Sequence, residues 1–81
     1  MKVTLKKSQQ AQRDMRSKVT QKMLDHELYR FTTMTDDQLK TRVKKLKNPV
    51  KAEAMRIMAK WCENYPLLRL ARTRRNELVH G

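Results

Sequence analysis

The 81-residue chain contains a single glycine, and it is the last residue, Gly81. Hairpin turns and bulges need residues that reach positive φ without steric cost, so a small β domain lacking glycine has no ready way to turn its strands. The breaks come instead from two prolines, Pro49 and Pro66, each placed where a helix can begin. These features predict an all-α domain, a small bundle of about four helices.

Length and charge then limit what such a bundle can do. A chain of this size buries only roughly 60 to 65% of its unfolded surface, which leaves little interior for a catalytic pocket. Charged residues make up 35% of the sequence and hydrophobic ones 38%, against about 25% charged in an average domain, so a thin core under a densely ionic surface is expected. The one cysteine, Cys62, can form neither an internal disulfide nor a multi-cysteine zinc site. Its neighbours Ala59 and Trp61 point to a buried structural thiol in a reducing compartment. No segment approaches the roughly 20 apolar residues needed to cross a bilayer, and Met1 to Lys7 lack the apolar middle of a secretory signal. A cytoplasmic protein with no membrane association is expected.

Residues 1–8, with Lys2, Lys6 and Lys7 and no periodicity, read as a flexible basic arm, and residues 9–81 as one helical domain whose compact part is 35–81. From about Gln9 to Phe31 no breaker intervenes. Ala11, Met15, Val19 and Met23, then Leu24, Leu28 and Phe31, predict one long N-terminal helix with a sparse apolar stripe. Three shorter helices follow, at about 35–47, 49–63 and 66–79. The second opens on Thr35 with Gln38 at the reciprocal capping-box position, Asp36 and Asp37 in the first turn, and Met34 and Leu39 placed for a hydrophobic staple. Its core stripe is Leu39, Val43 and Leu46. The third starts at Asn48-Pro49 and carries two apolar stripes: Val50, Ala54, Ile57, Met58 and Trp61, and beside them Ala52, Met55, Ala59 and Cys62. So wide an apolar face marks a central helix. The second stripe is the candidate for protein contact, whether with the first helix, a second copy of the chain in a homodimer, or a different protein. The fourth helix turns Leu67, Leu70, Ala71 and Leu78 inward.

Twenty Lys and Arg against eight Asp and Glu give a formal net charge of +12. Two concentrations stand out: Lys40, Arg42, Lys44, Lys45 and Lys47 with Lys51 just beyond, and Arg69, Arg72, Arg74 and Arg75. Like charges three and four apart on one helix repel by a few tenths of a kcal/mol per pair. A polyanion relieves that repulsion and releases condensed counterions as it binds, so phosphates are the natural ligand and these ten residues the expected nucleic-acid contacts. Aromatic residues, at 5%, are not interleaved with the clusters as a base-stacking platform requires, which disfavours single-strand recognition. A basic helix laid on duplex backbone is the more natural mode, and duplex DNA is a commoner target for such a module than RNA. A helix-turn-helix over the second and third helices, with Lys51, Arg56 and Lys60 exposed on the recognition helix, is a weaker expectation, because Glu53 and Glu63 share that side.

Catalytic chemistry finds no footing. Neither His26 nor His80 falls near Cys62 by helical spacing, the adjacent Asp36 and Asp37 are accounted for by the helix start, and no Gly-rich phosphate loop is present. No cofactor and no metal are expected. The sequence therefore supports a non-enzymatic nucleic-acid-binding protein. An alternative is a small accessory protein of the phage or plasmid type that binds a larger host nucleic-acid enzyme, a nuclease, helicase or polymerase, and modulates or inhibits it.

Overall fold

The computed structural model describes residues 13–80, and every element among them is helical. The arm expected over residues 1–8 and the start of the first helix lie outside the described residues. Residues 13–16 are helical, and four further helices follow: α1 (Gln21–Thr33), α2 (Asp36–Lys45), α3 (Pro49–Trp61) and α4 (Tyr65–His80).

The continuous helix expected from Gln9 to Phe31 is broken at 17–20. Ser17 Oγ donates to the Asp14 carbonyl (2.8 Å), and the Lys18 and Val19 amides reach back only three residues, to Met15 (3.0 Å) and Arg16 (3.2 Å). Thr20 then stands extended and caps α1, its hydroxyl accepting from the Met23 N–H at 3.2 Å. The apolar four-residue spacing runs through this break, and hides it; the hydroxyls of Ser17 and Thr20, competing for the backbone, decide it.

The other boundaries shift by one or two residues for local reasons. Thr35 and Gln38 form the reciprocal capping box at the start of α2. The helix ends at Lys45, because Leu46 and Asn48 are extended and Asn48 precedes a proline, which disfavours helical backbone there. Asn48 Oδ1 accepts from the Val50 N–H (2.9 Å) and caps α3 with Pro49 in its first turn. At the far end α3 stops at Trp61 in a Schellman closure: Glu63 sits at φ 56, the Asn64 amide donates to the Ala59 carbonyl (2.8 Å) and the Glu63 amide to that of Lys60 (3.1 Å). Asn64 Oδ1 accepts from the Leu67 N–H (3.4 Å) and so starts α4, one residue before the proline.

The core lies between α2, α3 and α4. Leu39, Val43, Leu46, Ala52, Met55, Ala59, Leu67 and Ala71 form one buried cluster, and Phe31, Met34, Leu68 and Leu70 pack against it. Every residue of α3 from 52 to 59 is buried, so α3 is the central helix, covered by α4 on one side and α1 on another. Ala52, Met55 and Ala59, expected as a surface for protein contact, are each 0% exposed inside the core and are closed to a partner protein. Cys62 and Trp61 depart from expectation in the other direction. Both lie at the helix end, where the chain turns away from the core, and both are exposed. Leu28 is also largely exposed, since α1 buries only one residue completely, Glu27.

That residue belongs to a pattern the hydrophobic spacing conceals. Glu27 and Glu53 are both buried carboxylates, and each is held by an arginine three residues on in its own helix and a second arginine from another helix. Glu53 accepts from Arg56 Nε (2.6 Å) and Nη2 (2.9 Å) and from Arg75 Nη1 (2.7 Å), joining α3 to α4. Glu27 accepts from Arg30 Nη1 (3.2 Å) and from both Nη atoms of Arg42, joining α1 to α2. Glu53 was expected on an exposed side with Arg56; both are buried, and α3 cannot present a recognition face to a DNA groove.

Candidate nucleic-acid interface

Helices α2 and α4 run parallel and in register. At their starts Asn64 Nδ2 donates to Asp36 Oδ1 (3.2 Å), and ten residues further on Arg74 Nε donates to the Leu46 carbonyl (2.8 Å), with the same sequence separation of 28 in both bonds. A residue of α2 is therefore level with the residue 28 later in α4. Lys44 is level with Arg72, and Lys47 with Arg75, so the two basic clusters lie at overlapping heights on neighbouring helices.

Height along the axis is not the same as facing. On α4 the buried row Leu67, Ala71 and Arg75 points at α3. Leu70, Thr73, Arg74 and Glu77 line a groove against Val43 and Lys44 of α2. At 3.6 residues per turn Arg72 sits about 160° around α4 from Arg74, on the flank away from α2, while Arg69 falls on the outward crest beside Thr73. The four arginines span seven positions and so spread around the helix. On α2 the flank toward α4 carries Lys40 and Lys44, and Lys47 follows in the extended linker; Arg42 and Lys45 lie on the opposite flank, in a groove with Met34, Gln38 and Thr41.

Of the ten residues expected to touch phosphate, the structure thus brings together Lys40, Lys44, Lys47, Arg69 and Arg74. Lys44, Lys47 and Arg69 are exposed and Lys40 half-buried. Arg74 is partly engaged already, with Glu77 (3.2 Å) as well as the Leu46 carbonyl. Lys45, Lys51 and Arg72 are exposed but point elsewhere. Two residues must be withdrawn as surface contacts. Arg75 is 0% exposed and bound to Glu53. Arg42 is forked onto Glu27, with 17% of its side chain exposed. The cations held on the buried carboxylates are all arginines, because the guanidinium can satisfy a buried carboxylate with two parallel bonds and carries weaker hydration.

The acids are sorted as well. Glu27 and Glu53 are inside, neutralised by arginine, and Asp36 is tied to Asn64 at the opposite end of α2 from the lysines. Glu77 is the one carboxylate that lines the α2–α4 groove among the described residues. Also among the described residues, no group of three His, Cys, Asp or Glu is placed to hold a metal ion, and no helix is long and apolar enough to cross a membrane. Comparison of the chain with protein-family models, with curated proteins and with solved structures finds no match in any of the three.

Proposed function

We propose that this is a non-enzymatic protein that binds duplex nucleic acid, DNA in preference to RNA, by laying the α2–α4 face on the phosphate backbone. The observation that carries the reading is the parallel register of α2 and α4, fixed at Asp36–Asn64 and Leu46–Arg74, which sets the stretch of α2 and linker with Lys40, Lys44 and Lys47 beside the stretch of α4 with Arg69 and Arg74. Two helices packed side by side, about 8 to 10 Å apart, make a face too broad for the roughly 12 Å major groove. Such a face rests across the backbone, makes phosphate contacts and reads little sequence.

Lys44→Glu combined with Lys47→Glu tests it. Both side chains are exposed, so helicity should be unchanged by circular dichroism. Duplex affinity should fall, and the slope of log affinity against log salt should shrink by about two, one for each lost phosphate contact. Unchanged affinity and slope would remove α2 from the interface.

A second reading, docking on a larger nucleic-acid enzyme, has one observation in its favour: Trp61 and Tyr65, at 61% and 57% exposure, flank the α3–α4 turn. Large exposed aromatics are typical anchors of protein interfaces. Recovery of one stoichiometric enzyme on a nuclease-treated pull-down, lost on Trp61→Ala, would favour it over direct duplex binding.

A further inference from the structure

We propose that the cleft between α1, α2 and the start of α3 is a binding site for a single phosphate-type anion, separate from the α2–α4 face. The inference starts from the contrast between the two Arg–Glu–Arg groups. Around Glu53 the group is closed, with side-chain exposures of 7% for Arg56 and 0% for both Glu53 and Arg75, so nothing further can reach it. Around Glu27 the same arrangement is open: the carboxylate is 4% exposed, while 17% of Arg42 and 40% of Arg30 reach solvent. Beside it lies a cleft of about 70 Å³ lined, among the described residues, by Met23, His26, Glu27, Arg30, Arg42 and Lys51.

Two guanidiniums side by side repel, and the buried carboxylate is what holds them together. Glu27 takes one N–H from Arg30 and two from Arg42, out of the five that each guanidinium carries, so unused donors remain on both. Lys51 adds an ammonium and stands in the first turn of α3, where the helix dipole favours negative charge. Three cations face one carboxylate, which already accepts three hydrogen bonds from two of them, and no other acid lines the cleft among the described residues. The volume is far below the roughly 300 Å³ of pockets that take larger organic ligands. A tetrahedral oxyanion, taking the remaining donors of two guanidiniums and one ammonium, matches both the size and the charge. Glu27 is a positioning residue here: it presents the arginines and does not touch the ligand.

The test uses inorganic phosphate titrated into the full chain at constant ionic strength, chloride replacing phosphate, with amide and arginine Nε–H signals followed by NMR. Saturable shifts centred on Arg30, Arg42 and the first turn of α3 are expected. Lys51→Ala should weaken binding by roughly fivefold, the upper end for an exposed ion pair. Lys60→Ala, at an exposed lysine at the other end of α3, should leave it unchanged. Arg30→Gln, at a part-exposed position, should also weaken it. Non-saturating shifts spread over all lysines and arginines, or affinity indifferent to both Lys51→Ala and Arg30→Gln, would overturn the proposal. A pair of oligonucleotides with and without a 5′-phosphate separates the sources of the anion. A Lys51-dependent gain from the phosphorylated one assigns the cleft to a nucleic-acid terminus, and equal binding of both, with phosphate itself still saturable, assigns it to a free phosphate. Lys44→Glu with Lys47→Glu should not move the phosphate titration, so loss of the duplex reading and loss of this one are distinguishable.

Discussion

Glu53 is the buried charge that ties α3 to α4. With 0% exposure it accepts three hydrogen bonds from Arg56 and Arg75. A buried ion pair adds little over a well-packed apolar substitute, but breaking one from one side strands a charge. Glu53→Ala should therefore destabilise by about 3 to 5 kcal/mol, a large part of a stability that for a domain of this kind is about 5 to 15 kcal/mol. Glu53→Leu with Arg75→Met should cost much less than the sum of its single substitutions, measured as a double-mutant cycle in urea. Equal additivity would mean the group is not coupled. Neither buried carboxylate is visible to a reading by hydrophobic period, because an acid in an apolar stripe counts against burial. What the sequence does offer is the repeated spacing Glu27 to Arg30 and Glu53 to Arg56, which looks like surface helix pairing until a second arginine arrives from a distant helix. Glu63 is the other residue with a distinct cost, held at φ 56 where a side chain is crowded. Glu63→Gly should stabilise by about 0.5 to 1 kcal/mol, read as a higher urea midpoint with an unchanged m-value.

At the scale of elements, the starts of α2 and α3 were legible in the sequence, while the start of α1 and the helix ends were less so. Thr35, Gln38, Met34 and Leu39 announce the start of α2 because capping box and staple are local in sequence, and both capping-box bonds are present while Met34 packs on the cluster containing Leu39. Thr35→Ala should cost about 1 kcal/mol in chemical denaturation and Thr35→Ser almost nothing; equal losses would show that the hydroxyl bond to Gln38 contributes little. The stop of α3 could not be read in the same way, since Glu63 is an uncommon residue for a left-handed position and it is the closure by Asn64 that forces it there. Nor could the break at 17–20, where apolar spacing and side-chain capping give opposing instructions and capping prevails. The wide apolar face of α3 was legible as central, but which stripe was covered by what depends on the α3–α4 turn, a long-range matter. That turn brings Leu67 and Ala71 over Ala52, Met55 and Ala59.

Over the whole molecule, net charge overstates the surface available to a polyanion. All twenty basic side chains contribute to the charge of +12, yet Arg56 and Arg75 are buried on Glu53, Arg42 is forked onto Glu27, and Arg72 lies around the far side of α4. If all ten of the clustered cations met phosphates, the salt slope on B-form duplex would be about −9. The α2–α4 face offers Lys40, Lys44, Lys47 and Arg69, and a fifth cation, Arg74, that is shared with Glu77. That number gives a slope of about −4. Arg72→Glu provides the matching control. It changes the net charge by as much as Lys44→Glu does, but it acts from the flank of α4 turned away from the α2–α4 face, across a helix about 10 Å wide, which exceeds the roughly 8 Å Debye length of physiological salt. At that salt Lys44→Glu should weaken binding clearly more than Arg72→Glu, and the two should converge only at low salt, where long-range charge prevails. Equal losses at every salt concentration would mean that total charge, not the α2–α4 face, governs association. A wild-type slope near about −9 would mean that cations outside this face, Arg42 and Arg75 among them, meet phosphate, which would overturn the assigned interface.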